Sequence, residues 1–477
     1  MCDHFSIETE LEQWTPADWV EDPQFRVASP EARQLCYKLN DLWKLLGRKV
    51  NKTVLDNQEK FSLVFLPNPV VVPGGRFREI YYWDSYWIIK GLLACKMKDT
   101  ARGMVENLLY LIERKGYVPN GGRIYYTRSQ PPLLSSMVEA YHKATGDTMW
   151  AISKVELLVE EWTYWEKTHS VRVKNRRLFR YNCEEAMPRP ESYREDFRLG
   201  EKLEQKEKEE LWKELRSGAE SGWDYSSRWF GQEGEGGGLK DTKIRSVVPV
   251  DLNAFLAKGA GIIARLYGLK GDKEASIMWE KKKNELVVAM EALMWCEEEG
   301  CWLDLDLDTG CQRNRFSASN LIPLWAGAVP EGEEEARGER CVEYLRRMVG
   351  DRVGGLPTTM VRSGEQWDYP NVWPPLEHMV IMGLYRAGGK EAGKEARLMA
   401  RMRVDQCKYM MERKGHMFEK VKICIFASYL SDNVFSTIVR MGTWWGEGGS
   451  TRCSWALAGP MGCSWTSSQA WIAFNKH

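Results

Sequence analysis

The sequence predicts an all-α protein, a toroid of paired helices with a pocket at one end. Three observations carry that prediction. Roughly ten to twelve stretches place apolar side chains at helical spacing. Almost none alternates apolar and polar residues as a strand does, and loops rich in aromatic and polar residues recur between helix pairs. A chain of 477 residues, 43% of them hydrophobic, has ample core for one large domain or for as many as about three small ones.

The chain is organised around residues 72–93, VPGGRFREIYYWDSYWIIKGLL. Pro73-Gly74-Gly75 opens it as a turn, and an apolar run without a breaker before Gly91 closes it. Between them Arg76, Glu79 and Asp84 stand among Phe77, Tyr81, Tyr82, Trp83, Tyr86 and Trp87. Burying an unpaired charge is costly, so these groups need partners. Planar rings beside carboxylates and a guanidinium suit sugars, whose C–H faces pack on rings while their hydroxyls need donors and acceptors. The segment reads equally well as an aromatic helix packed in a core.

Residues 1–30 are polar and punctuated by proline, an ordered arm rather than a domain. Leu35, Leu39, Leu42, Trp43 and Leu46 mark a first helix from Pro30 to Arg48. Asn51-Lys52-Thr53 matches a glycosylation acceptor, which matters only in an exported chain. Asp99 or Thr100 is expected to cap a helix with the inner face Ala101, Met104, Val105, Leu108 and Ile112, which Gly116 stops. The loop from Val118 to Pro132 sets polar side chains between rigid turns, as a binding loop requires. Helical patterns follow at 137–143, 149–165 and, solvated, 201–216.

The irregular segment 180–195 contains Arg189-Pro190-Glu191-Ser192, and Ser221 to Trp229 gathers a glycine, a carboxylate and two tryptophans like a site wall. Gly231 to Gly238 lacks phosphate-loop spacing and reads as a flexible surface connection. Helices are expected at 251–267, 273–295, 333–349, 374–387 and 390–413. Residues 302–308, WLDLDLD, form a short strand and turn; their aspartates imitate a calcium loop whose glycine is misplaced, so a hairpin is the expectation.

Sixty-seven basic residues balance 67 acidic ones, which leaves no electrostatic footprint for nucleic acid or an anionic membrane. The expected partner is a small neutral molecule. Tryptophans recur at or near charged residues, among them Trp83, Trp223 and Trp367, each followed by aspartate, and Trp302, two before one; this favours a lined pocket. Twelve cysteines without C-x-x-C and six histidines without H-x-x-x-H indicate neither a zinc site nor a disulfide framework. The chain opens without a charged n-region or an apolar h-region and has no long apolar run, so no address and no span are expected, and a cytoplasmic location as written. Serine–histidine–aspartate constellations, cofactor turns and metal clusters are not discernible. What remains is carboxylates in aromatic loops, and a glycosidic bond is cleaved by two of them without a cofactor.

These loops carry a resemblance. PGGRFREIYYWDSY and QWDYPNVWPP are similar to the two signatures of the trehalases, and PNGGRIYYTRSQPP, PRPES, SGWDYSSRW and SVVPVDLN to further blocks of that family, over about Glu10 to Lys420. The resemblance implies an (α/α)6 barrel, inverting hydrolysis of α,α-trehalose to two glucoses, and neither metal nor cofactor. It implies that Asp224 is the general acid, with a raised pKa, and that Glu419 in Met417-Phe418-Glu419-Lys420 is the general base. Substrate contacts carried over are Arg76, Trp83, Asp84, Asn120, Arg128, Ser129, Gln130, Arg189, Pro190, Glu191 and Gly222. Animal members of the family are secreted or held by a glycolipid anchor.

After Lys420 the resemblance stops. The family continues through a glycine-rich loop with a glutamate and a block like GFGWTNG into a last helix; here the chain reads VKICIFASYLSDNVFSTIVRMG. Back-translating Gly449 to Trp465 with permissible codons and dropping two bases yields EYEVQLGFGWTNGVLL. The expectation is therefore translated intron from Val421 to about Ile438 and frameshifted exon beyond it. An uninterrupted in-frame transcript would refute this. The expected organisation is an arm at 1–30, a catalytic domain at 31–420 lacking its last helix, and an aberrant tail at 421–477 containing Trp444, Trp445, Trp455 and Trp465. Two rival readings stay open, a catalytically impaired sugar-binding or misfolding isoform and a related inverting α-glucosidase.

Overall fold

The computed structural model describes residues 10–25, 29–231, 237–350 and 354–422; the centre of the glycine-rich connection and the four tail tryptophans lie outside them. Helices dominate. In chain order the ring is built from α1 (Pro30–Leu46), α2 (Asp84–Ala94), α3 (Lys98–Lys115), α4 (Leu134–Thr145), α5 (Val155–His169), α6 (Val250–Lys270), α7 (Lys273–Leu293), α8 (Ile322–Ala326), α9 (Glu334–Val349), α10 (Pro374–Ala387) and α11 (Lys390–Lys414).

Burial sorts them into two rings. α2, α6, α8 and α10 are buried over most of their surface and α4 over its first half, as expected of helices rich in apolar and small residues on several faces. Successive members touch: α2 on α4, α4 on α6, α6 on α8, α8 on α10. α1, α3, α5, α7, α9 and α11 bury one stripe each and lie outside; α7 buries only Trp279, Leu286, Val287, Ala289, Met290 and Leu293 along its 21 residues. Between α10 and α2 the inner ring is bridged by the Trp87 indole N–H donating to His378 Nδ1 at 3.2 Å, while outside it α11 packs on α1.

The strands are short. The arm pairs through Leu11–Gln13 with Gly47–Val50, which in turn pairs with Val70–Val71. Expected and observed helix ends agree within a few residues, with two informative differences. Residues 149–165 divide at Lys154 into Thr148–Ser153 and α5. The cap of α3 is neither Asp99 nor Thr100: the Asp18 carboxylate, more than 80 residues earlier, accepts from the backbone N–H groups of Asp99 (2.9 Å) and Thr100 (3.0 Å) and from the Thr100 hydroxyl. Replacing Asp18 by alanine is expected to cost about 1–2 kcal/mol, as caps do, and to free the arm for proteolysis near residue 20. Denaturant unfolding with limited proteolysis checks this.

Candidate active site

Chemistry-bearing loops enter at the N-terminal ends of the inner helices. Asp84 is the first residue of α2, where the helix dipole favours a carboxylate. The preceding stretch and the Val118–Pro132 loop are laced together by their backbones: Tyr82 N–H donates to Asn120 O (3.1 Å), Gly122 N–H to Ile80 O (3.0 Å) and Asn120 N–H to Arg128 O (2.8 Å). Gln130 Oε1 accepts from Trp83 N–H at 3.2 Å. The Ser129 hydroxyl donates to Val118 O at 2.6 Å, and Ser129 N–H to the buried Glu220 at 3.0 Å. The polar atoms of Ser129 and Gln130 thus hold the wall in shape.

The arginines stand deeper. Arg128 pairs with Glu191 and lies over the Tyr126 ring. Its Nε and Nη1 and the Glu191 Oε2 are buried without a hydrogen bond among the described residues. Arg189 grips Asp196 with Nε (2.8 Å) and Nη2 (2.7 Å) and lies over Tyr225. Pro190 starts the short 3-10 turn that presents Glu191.

Asp224 follows the last turn of the helix Gln205–Glu220. Gly222 adopts φ +72°, and a Cβ there would come within 2.8 Å of the Trp83 ring, so only glycine lets the loop lie on the indole. Asp224 itself is left-handed at φ +36°, a conformation that aspartate tolerates better than most residues. The loop is pinned by Asp368, which accepts from Ser226 Oγ (2.7 Å), Ser227 N–H (2.7 Å), Thr359 Oγ1 (2.8 Å) and Ser363 Oγ. Burial pushes the Asp224 carboxyl up to about 7; Arg189 and Arg128 pull it down, and Glu191 and Glu419 raise it further.

Glu419 is held at the same site from the other side. Val421–Lys422 pairs antiparallel with Asn371–Val372, so the first two residues after Lys420 belong to the fold. Lys420 Nζ donates to Gln366 Oε1 (3.2 Å), and the Gln366 amide approaches Asp224 Oδ2 at 3.4 Å. Burial lowers the Lys420 ammonium pKa, with Glu419 acting against this and Arg76 with it. Arg76, Arg128, Arg189, Glu191, Asp224 and Glu419 are therefore one electrostatic cluster.

Sequence reasoning missed Gln366, Asp368, Asp196 and Lys420. The second signature contained the first two, and the aspartate beside Trp367 was the only hint. The tryptophans form packing rather than a wall: Trp83, Trp223 and Trp367 are fully buried, with Trp367 stacked on Trp373 at 3.8 Å and on Trp223 at 5.5 Å. Trp302 lies away from the site, against Trp295, donating to Glu291. Among the described residues, no three His, Cys, Asp or Glu side chains are placed to hold a metal ion, and no helix is long and apolar enough to cross a membrane.

Comparison with known proteins accounts for this arrangement. The family model described as trehalase matches residues 1–448, which extends beyond both Glu10 and Lys420, the limits of the resemblance read from motifs. The chain is 39% identical over 451 residues to a trehalase of Apis mellifera, covering 92% of this chain and 72% of that one. It is 38% identical over 430 residues to a trehalase of Homo sapiens, covering 88% and 73%. The neutral trehalase of Saccharomyces cerevisiae has the same fold, with a TM-score of 0.63 at 24% identity over 75% of this chain and 70% of that one. The ring of paired helices, the placement of the arginine and carboxylate loops and these matches together show that the chain belongs to the trehalase family.

Proposed function

We propose that this chain hydrolyses α,α-trehalose to two glucoses with inversion, using Asp224 as general acid and Glu419 as general base. The carrying observation is the Asp224 carboxyl, buried and held protonated to about pH 7 in a site that also contains a second carboxylate. A protonated Asp224 delivers its proton to the glycosidic oxygen as the C–O bond breaks. Glu419 accepts a proton from the water that attacks the anomeric carbon from the opposite face, so the new hydroxyl has the inverted configuration. Inversion requires the two carboxyl groups to stand roughly 6.5–9.5 Å apart, leaving room for that water. Arg128, Arg189 and Arg76 supply charge-assisted hydrogen bonds to sugar hydroxyls, about twice as strong as neutral ones. The unsatisfied Arg128 and Glu191 atoms are suited to this.

The test is glucose release from trehalose and from maltose by the full chain, with the anomer of the first product read by NMR. Trehalose-selective release with one inverted β-glucose supports the reading. Retention, a preference for maltose, or absence of turnover by a folded chain overturns it. The pH profile should fall on its alkaline side through about pH 7, because turnover needs the protonated Asp224 and is lost as that group ionises.

A further inference from the structure

The opposite end of the inner ring carries charges that the catalytic reading does not use. Cations converge there from four of the five inner helices: Lys90 from α2, Lys143 from α4, Lys258 and Arg265 from α6, and Arg386 from α10. Glu139 of α4 is the carboxylate among them, paired with Lys143 (2.9 Å) and Arg265. Tyr86, Trp325 and His378 complete the surroundings: Lys90 lies over Tyr86, Lys258 over Trp325, and the His378 imidazole is depressed by burial and by Lys90.

Cations near helix C-termini are ordinarily there to meet the last carbonyls, and Arg386 does this, donating to Trp325 O at 2.6 Å. Lys258 cannot. It is the ninth residue of a 21-residue helix, too far from either end. Neither the Lys258 nor the Lys90 ammonium makes a hydrogen bond or ion pair among the described residues, although both side chains are partly buried. Lys258 is pushed down to about 7 by burial and then by Arg386, and Lys90 to about 8 by the same causes, in both cases against the pull of Glu139. Five cations around one carboxylate give this end of the ring a net positive charge, and two of them, Lys90 and Lys258, have hydrogen bonds to spare for an anion.

We propose that this far mouth of the ring binds a small inorganic oxyanion, with Lys90, Lys258 and Arg386 as its donors. The anion would lie on the order of 10 Å or more from the catalytic loops, given the helical rise between Asp84 and Lys90 or Pro374 and Arg386. It would supply hydrogen-bond acceptors to the two lysines and keep Lys258 protonated.

Sulfate is the probe, because its charge does not change near neutrality. Thermal unfolding of the full chain should show a stabilisation by sulfate beyond that of chloride at matched ionic strength. This increment should be larger at about pH 6 than at about pH 8.5, since both lysines are charged at the first, and at the second Lys258 is largely neutral and Lys90 in part. Lys258→Met should weaken the apparent sulfate affinity about tenfold or more and flatten its pH dependence to the part that Lys90 contributes. Glu139→Gln, which removes the competing carboxylate, should enlarge the increment and decides the matter if Lys258→Met does not fold. Equal responses to sulfate and chloride, an increment retained in Lys258→Met, or one not enlarged in Glu139→Gln would overturn the proposal.

Discussion

Asp224→Asn is expected to lose activity by a factor on the order of 10²–10⁴ and yet be more stable than the parent chain at alkaline pH. The loss follows from the role proposed for it, since asparagine places an amide where a proton donor is needed. The stability follows from burial. The carboxyl moves from an ordinary 3.8 to about 7 on folding, a difference that corresponds to about 4 kcal/mol. The stabilisation contributed by this raised group is present below about pH 4 and is lost as pH rises through about 7, because the unfolded chain ionises Asp224 first. An amide does not ionise and escapes that loss. Urea unfolding of the two proteins at about pH 4 and about pH 8 should therefore show near equality at the first and a gain for the variant at the second. A variant that is inactive and equally destabilised at both would mean that Asp224 holds the loop rather than donating a proton.

Much of the fold was legible because ring helices advertise themselves. The near-continuous apolar run of α2 and the one-sided stripe of α3 are the sequence forms of an inner and an outer helix. The bound of α10 could be read to the residue, because proline opens it and Gly388 follows it. The cap of α3 could not be read, since Asp18 reaches it from a segment far away in sequence and only tertiary placement brings the two together. The break at Lys154 was hidden because the apolar period runs through it.

At the site, Asp224 was visible among its aromatics. Glu419 was reached only through the family resemblance, because by itself it stands in an ordinary polar setting, next to a strand pairing that only the fold shows. The Trp–Asp pairs were informative in a way not expected. In Trp367-Asp368 the ring packs in the tryptophan column while the carboxylate is spent on Ser226, Ser227, Thr359 and Ser363, so that pair supports the site from beneath.

The largest stability effect is expected at Arg228, four residues after Asp224. Its guanidinium is buried between the Trp223 ring (4.4 Å) and the Trp229 ring (4.2 Å). It donates to both oxygens of Asp251 at 2.9 Å, and to Asp304 at 2.8 and 3.0 Å. Asp304 in turn accepts from Val250 N–H at 2.9 Å, so the group fastens the Asp224 loop to the start of α6 and to the 302–308 segment.

Arg228→Leu leaves two buried carboxylates facing each other without their cation, an expected cost on the order of 3–5 kcal/mol. Arg228→Lys keeps the charge but not the fork that meets two carboxylates, and should recover only part of it. In Arg228→Leu with Asp251→Asn and Asp304→Asn the repulsion is gone, so this triple variant should be more stable than the single one. Activity should fall with stability restored, since Trp223 loses the guanidinium it lies against and Asp224 is its neighbour in the chain. A triple variant as unstable as the single one would show that Arg228 acts through its packing between the two tryptophans and not through its charge.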